Sequence, residues 1–373
     1  MNQNMQRILS TFDMKGAKIR NRLALAPMTR VSASADGSST AAMAKYYARF
    51  ARGGFGLVMT EGLYTDHAWS QGYTGQPGMA DDSQARSWTA TNDELHRHGA
   101  LVFAQLMHAG ALSQANPFYP GTIAPSPVRP QGKQMAFYHG DGPYALPAEM
   151  TAEQIALAIT SFAAAAGRAV RIAGFDGIEI HAANGYLLDQ FLGAHTNLRG
   201  DRWGGDVHGR LRLTLEILTM VKREVGSTVP VGVRISQGKV NDFTHKWPGG
   251  TADAEAIFGA LAKAGADFIH VTEFEAWQPA FDGDQDSLIA LARRHAPGVA
   301  ILANGNLHDA ARAREALAQG ADMVAVGRGA LANPDLPQRW RDGVAQHPFD
   351  GALLSPIAHI KESELAFGAS SRE

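Results

Sequence analysis

His181, Asn184 and Tyr186 lie within six residues of one another, in the phrase HAANGY. They directly follow Gly177–His181, an apolar run that reads as a buried strand. One turn at a strand end can present an imidazole and a carboxamide three residues apart to the same point. Together they could donate two hydrogen bonds to one oxygen and stabilise negative charge growing there. A tyrosine hydroxyl has an ordinary pKa of about 10. Tyr186 is therefore protonated at neutral pH and can deliver a proton. A capping Asn, a packed Tyr and a structural His are the plain alternative, and three such groups at one mouth favour chemistry over it. A second constellation is Asn304-Gly305-Asn306 with Gly327-Arg328-Gly329. Glycines let backbone N–H groups approach an anion, and Arg328 adds a cation. Alone, each phrase could be a turn with a solvated polar residue. Together, after two successive candidate strands, they predict a phosphate site.

Composition removes other chemistries. The 373 residues include no cysteine, which excludes disulfides, a thiol nucleophile and Cys-ligated zinc or iron–sulfur centres. The 14 histidines form no H-E-x-x-H and no tight cluster with carboxylates, so no metal is expected. No G-x-S-x-G marks a serine nucleophile. Lys plus Arg is 34 against 36 Asp plus Glu, a net charge of −2, so neither nucleic acid nor an anionic membrane is an expected partner. No signal peptide and no apolar run of about 18 residues is evident, and the expectation is a cytoplasmic protein.

The elements that must position these residues follow one rhythm. A short apolar run is followed by a turn and an alanine-rich amphipathic stretch. The candidate strands are Leu23–Met28, Leu57–Thr60, Leu101–Leu106, Gly177–His181, Val231–Ile235, Phe268–Thr272, Ala300–Ala303 and Met323–Val326. Helices are expected over Ala41–Arg52, Ser83–His98, Ala152–Ala173, Arg210–Val225, Thr251–Ala264, Asp286–His295 and Leu307–Gln319. Three strands are announced by one phrase: AGF-DGIEI, AGA-DFIHV and QGA-DMVAV. In each, Gly provides a left-handed helix stop. Right-handed βα crossovers make a parallel sheet, and eight units predict a closed (β/α)8 TIM barrel, an α/β fold. A two-domain dinucleotide-binding fold would need a G-x-G-x-x-G after an early strand. The only early glycine cluster, Gly53-Gly54-Phe55-Gly56, precedes one instead.

Barrel ligands bind at the C-terminal ends of the strands. Those ends hold Pro27, Met28, Thr29, Arg30, Glu61, Gly62, Gln105, His108 and Arg234 besides the groups above. The barrel is expected over 1–340, with a lid inserted at 112–150 between strands three and four. The insertion carries seven of the chain's 17 prolines and five aromatics, which argues for an ordered cover over the mouth. Residues 341–373 read as a weakly patterned tail.

The chain resembles the old yellow enzyme family of FMN-dependent NAD(P)H:flavin oxidoreductases, or ene-reductases. The matching phrases are NRLALAPMTR (21–30), TEG (60–62), QLMHAG (105–110), AGFDGIEIHAANGYLLDQFL (173–192), NLRGDRWGG (197–205), GVRIS (232–236), ILANGN (301–306) and VGRGALANPDLP (326–337). They occur in the family's order along nearly the whole chain. The resemblance implies FMN at the barrel mouth and NADPH or NADH as hydride donor. It implies that Pro27, Met28, Thr29 and Gly62 line the flavin, with the Thr29 hydroxyl near O4 and N5. Gln105 would bond the pyrimidine side, and Arg234 would sit near N1 and O2. Gly305, Asn306, Gly327 and Arg328 would hold the phosphate. His181 and Asn184 would bind the oxygen of an activated alkene. In the implied ping-pong reaction, hydride passes from NAD(P)H through flavin N5 to the β-carbon while Tyr186 protonates the α-carbon.

The chain departs from the family pattern at several points. Thr29 stands where one branch has Cys. Met107 stands in a place often held by Trp, which predicts a roomier substrate pocket. Ala111 replaces a common Arg, and Trp203 replaces Tyr in D-x-Y-G-G. No Tyr follows Tyr186, so Trp277 and Phe281, after strand six, are candidate replacements for a tyrosine wall, Trp277 as a substrate contact. Rival readings are a nitro or nitrate-ester reductase on the same flavin site and a redox-sensing flavoprotein that binds phenols or steroids. A non-flavin phosphate barrel would usually carry a Schiff-base lysine at a strand end, and Lys45, Lys239 and Lys263 are expected elsewhere.

Overall fold

The computed structural model describes residues 3–366. Eight parallel strands form a closed barrel: β1 (Leu23–Leu25), β2 (Leu57–Met59), β3 (Leu101–Met107), β4 (Gly177–Asn184), β5 (Val231–Lys239), β6 (Phe268–Thr272), β7 (Ala300–Asn304) and β8 (Met323–Val326). Each strand pairs with the next, and β8 returns to β1 through the register Val324↔Leu23. Seven main helices alternate with them: α1 (Ala41–Arg52), α2 (Asp82–Arg97), α3 (Ala152–Arg171), α4 (Val207–Val225), α5 (Thr251–Lys263), α6 (Leu288–His295) and α7 (Ala310–Ala318). All eight expected strands and all seven expected helices are present, with altered ends. β1 stops at Leu25, whereas β4 continues to Asn184 and β5 to Lys239.

The repeated helix–Gly–Asp–strand phrase has a physical basis at both of its polar positions. Gly174, Gly265 and Gly320 adopt φ of +77°, +82° and +117°, which suits glycine and stops each preceding helix. Asp176, Asp267 and Asp322 each accept the first free N–H of a neighbouring strand, from Val102, Val231 and Ile301 at 2.8–2.9 Å. The aspartates thus stitch β4 to β3, β6 to β5 and β8 to β7.

The barrel interior is filled at its N-terminal end. Leu57, Phe103, Phe268, Leu302 and Met323 form one buried cluster with Met14 and Ile19. Those last two come from an antiparallel hairpin, Phe12–Met14 with Ala17–Ile19, which plugs the barrel floor. Phe103 and Phe268 lie 5.6 Å apart, and glycines on adjacent strands make room for them. A Cβ on Gly177 would meet the Phe103 ring at 2.6 Å, and one on Gly232 would meet Phe268 at 2.4 Å. With the floor sealed, the mouth is the open end.

The segment 112–150 is not featureless. Ile123–Ala124 pairs with Ala148–Glu149, and Ala136–Tyr138 forms one 3-10 turn. The tail also packs on the barrel: a single helical turn, Glu362–Leu365, buries Glu364 against Arg30 and Arg49. Among the described residues no helix is long and apolar enough to cross a membrane, and no group of three or more His, Cys, Asp or Glu could hold a metal.

Candidate active site

A cavity of about 350 Å³ opens where the strands end. That is within the range of small-molecule sites. Its wall contains Pro27, Met28 and Thr29 after β1, Gly62 after β2, Gln105 and Met107 on β3, His181 and Asn184 on β4, Tyr186 just beyond, and Arg234 on β5. Gly305 and Asn306 follow β7, and Gly327 and Arg328 follow β8, on the same wall. Trp277 and Phe281 are not on it. Trp277 packs against the hydrophobic core, with the Arg312 guanidinium 4.2 Å from its ring centre, and its backbone carbonyl accepts from Gln319. The aromatic residues supplied to the mouth by the loops after β5 and β6 are instead Phe243 and Phe274, both exposed.

His181 and Asn184 are brought together differently from the one-turn expectation. Both are strand residues, and an odd spacing would send their side chains to opposite faces. Asn184 escapes this alternation by adopting φ +62°, the left-handed region that Asn tolerates, with Gly185 following at φ +87°. Tyr186 then caps a short helix, Leu187–Leu192, and its ring meets that of His181 edge-on at 5.0 Å.

The protonation states suit hydrogen-bond donation. Burial, reinforced by the charge of Arg234 and by His270, holds the His181 imidazole well below its ordinary value. His181 is therefore neutral, and its Nδ1 accepts the Ala183 N–H at 3.4 Å. On this hydrogen-bond assignment the ring proton is on Nε2. Burial pushes the Tyr186 hydroxyl up to about 12. The buried Tyr73 hydroxyl shares a short hydrogen bond with the Tyr186 hydroxyl. Tyr73 comes from the loop between β2 and α2. With Tyr144 and Tyr186 it belongs to a buried cluster against which Tyr138 packs, and Tyr138 also lines the cavity. Tyr138 is one of the five aromatics expected in the cover over the mouth, whereas Tyr73 carried no signal in spacing or periodicity, because its segment has neither.

A buried polar layer underlies the cavity. Gln105 Nε2 donates to Glu179 Oε1 at 2.7 Å, and His270 Nδ1 bonds Glu179 Oε2 at 2.7 Å. This fixes the Gln105 amide with its carbonyl free for a ligand donor. Arg234 Nη2 donates to Asn304 at 2.9 Å and Thr272 at 3.2 Å, but its buried Nε has no partner. An unpaired buried guanidinium N–H on a cavity wall is costly unless an acceptor arrives. At the β7 end Gly305 has φ +143°, and a Cβ there would lie 2.2 Å from the Glu273 carbonyl oxygen. The backbone can therefore make this close cradle only with glycine. These donors and the glycine cradle fit FMN, with its ring acceptors and terminal phosphate.

Lys239 is misplaced by the sequence reading. It is the last residue of β5, because that strand runs four residues further than its apolar core. Its ammonium is tied to both carboxylate oxygens of Asp189, at 2.6 and 2.7 Å. It is thus held as an ion pair and not offered to a carbonyl substrate.

Comparison with known proteins identifies the family. Residues 8–347 match the model of the NADH:flavin oxidoreductase / NADH oxidase family. A probable flavin mononucleotide-dependent alkene reductase of Leishmania infantum is 35% identical over 91% of both chains. An NADH oxidase of Thermoanaerobacter brockii is 32% identical over 87% of this chain, which spans 49% of that longer protein. The old yellow enzyme homologue of Zymomonas mobilis superimposes with a TM-score of 0.85 at 27% identity, over 96% of this chain and 98% of that one. Morphinone reductase in complex with tetrahydroNAD gives 0.84 at 27%, over 98% and 99%. With eight strands closed around this site and the family match covering all of them, the chain belongs to the NADH:flavin oxidoreductases of the old yellow enzyme type, FMN-dependent enzymes of the (β/α)8 class.

Proposed function

We propose that the chain is an ene-reductase that uses NADPH or NADH to reduce an alkene activated by a carbonyl, imide or nitro group. The observation that carries this reading is one cavity wall. It presents the neutral His181, Asn184 and the protonated Tyr186 together, with Arg234 on the neighbouring strand. Bound FMN supplies hydride transfer between the nicotinamide and the alkene. Pro27, Met28, Thr29 and Gly62 would line its ring, the Gln105 carbonyl and the free Arg234 N–H would meet its polar edge, and Gly305, Asn306, Gly327 and Arg328 would hold its phosphate.

His181 and Asn184 hold the substrate oxygen. Their hydrogen bonds strengthen as negative charge develops there, so they act on the transition state more than on the ground state. Because His181 stays neutral, it donates this bond without surrendering its proton. Tyr186 delivers the proton to the α-carbon, and Tyr73 fixes the direction of its hydroxyl. Met107 occupies the substrate side of the wall as a soft contact. Residues 112–150 serve as a cover, to which Tyr138 contributes a wall.

The reading is tested without air. The FMN-loaded protein is treated with NADPH, its yellow absorbance is followed, and 2-cyclohexenone is then added. Loss of colour followed by rapid return is expected. Loss without return on the enone, but with return on a nitrate ester, would replace the alkene with a nitro-type acceptor.

A further inference from the structure

We infer that Lys239 and Asp189 are positioning residues for the substrate-oxygen clamp: their buried ion pair is a strut that holds the left-handed Asn184–Gly185 turn in place. This rests on the role proposed above for His181 and Asn184.

The turn is held from three sides. Gly185 N–H donates to Asp189 Oδ2 at 2.7 Å, and the Gly185 carbonyl accepts from Gln190 Nε2 at 2.7 Å. Asn184 N–H donates to Ser236 Oγ at 2.8 Å, and its carbonyl accepts Val240 N–H at 3.0 Å. Ser236 and Val240 flank Lys239, whose Cα is in register with Asn184 across β4 and β5. Lys239 itself binds both oxygens of Asp189, with the two side chains 5% and 0% exposed. Asp189 thus carries two loads: it receives the amide of the turn, and it is fixed by a cation from the adjacent strand.

Geometry explains why this turn needs a strut. Two consecutive residues at positive φ, one of them bearing a side chain, are not a resting conformation of the chain. The surrounding bonds must over-determine them. A Cβ on Gly185 would come within 3.3 Å of the Lys239 Cβ, so the lysine stem also packs directly against the turn. Lys239 lines both the active-site cavity and a second cavity of about 170 Å³ behind the turn, which contains Asp189 and Gly185. The ion pair therefore forms part of the partition between these two spaces. Without it, the turn has room to relax backward, which would carry the Asn184 carboxamide away from the point it shares with His181.

The test uses the FMN-loaded protein and 4-hydroxybenzaldehyde, whose phenolate offers a negative oxygen to the two donors. Dissociation constants for the phenol and for FMN are measured alongside amide hydrogen exchange over residues 182–188. In Lys239→Met, phenol binding should weaken by about tenfold or more, the scale of losing an aligned charged hydrogen bond. FMN binding should stay within about twofold, and exchange at 182–188 should quicken while β6–β8 remain protected. Asp189→Asn keeps an acceptor for the Gly185 amide but removes the charge. It should give the same direction at smaller size, and it covers the case in which Lys239→Met leaves a buried carboxylate that prevents folding. Unchanged phenol binding with unchanged exchange at 182–188 would overturn the strut. A wild-type protein that binds FMN but no phenol would instead overturn the His181–Asn184 clamp, and the exchange comparison would still decide the strut.

Discussion

Tyr186 is buried in a cluster with other tyrosines, and this sets what its removal should do. Its hydroxyl is pushed up to about 12 by burial, while the hydrogen bond from Tyr73 lowers it. Tyr186→Phe should slow alkene reduction by about 10²-fold, the usual scale of a positioned proton donor. Flavin reduction by NAD(P)H should change little, and stopped-flow traces of the two half-reactions would separate them. Equal slowing of both would remove Tyr186 from the acid role. Tyr73→Phe should slow the same half-reaction by less, since it leaves the donor in place but unaligned. The double variant should be no slower than Tyr186→Phe alone, because Tyr73 acts only through Tyr186. The importance of Tyr186 was legible in HAANGY, where three polar groups crowd one strand end. Tyr73 was not legible: 113 residues separate it from Tyr186, and only the folded chain brings the hydroxyls together.

At the scale of elements, the sequence is most readable where the period of burial repeats. Apolar runs locate every barrel strand, yet they locate strand ends poorly. β5 runs through Ser236, Gln237 and Lys239 because those residues find partners on β4, in the loop after β6 and on the helix after β4, a tertiary compensation that local pattern does not contain. The same limit applies to the loop after β2. Glu61 there is fully buried, and burial pushes its carboxyl up to about 7 despite the Arg30 N–H at 2.8 Å. Its folded pKa thus lies above the ordinary 4.5. As pH rises, the unfolded chain loses this proton first, so stability falls between about pH 4.5 and 7 and levels off above that. The loss is on the order of 3 kcal/mol. Glu61→Gln should flatten this part of the melting-temperature profile, and an unaltered slope would show that Glu61 is already ionised at the lower pH. In the loop after β7, Gly305→Ala should reduce FMN affinity by more than about tenfold, because its Cβ would force the Glu273 carbonyl aside and move the cradle. Equilibrium dialysis of FMN would measure it.

For the whole molecule, the question is how a barrel closed by short strands keeps its mouth in register. β1 has only three residues, and the cavity-lining Pro27–Thr29 segment follows it without further strand pairing. The next residue, Arg30, is fully buried and reaches the tail. Its Nε donates to the Ala358 carbonyl at 2.9 Å, and its guanidinium binds both oxygens of Glu364. Arg49 of α1 binds Glu364 as well, at 2.8 Å, and the Tyr46 ring lies 4.7 Å from both guanidinium carbons. One carboxylate therefore ties the β1 loop, the first helix and the C-terminal turn into a single joint. Burial opposes its charge, but hydrogen bonding and the charge of Arg30 hold the Glu364 carboxyl below its ordinary value. A depressed folded pKa means that this stabilisation is complete above the unfolded value of about 4.5 and is lost as pH falls through the folded one. Its pH dependence is thus opposite in sign to that of Glu61. Glu364→Gln leaves two buried guanidinium groups without a counter-charge, a change that typically costs about 3–5 kcal/mol. The melting temperature at pH 7 should fall by several degrees. FMN should bind more weakly too, because Arg30 anchors the backbone that carries Thr29. Addition of excess FMN should then recover part of the lost stability by mass action. A variant that melts earlier yet holds FMN as tightly as wild type would show that the joint braces the tail alone and does not reach the Pro27–Thr29 loop.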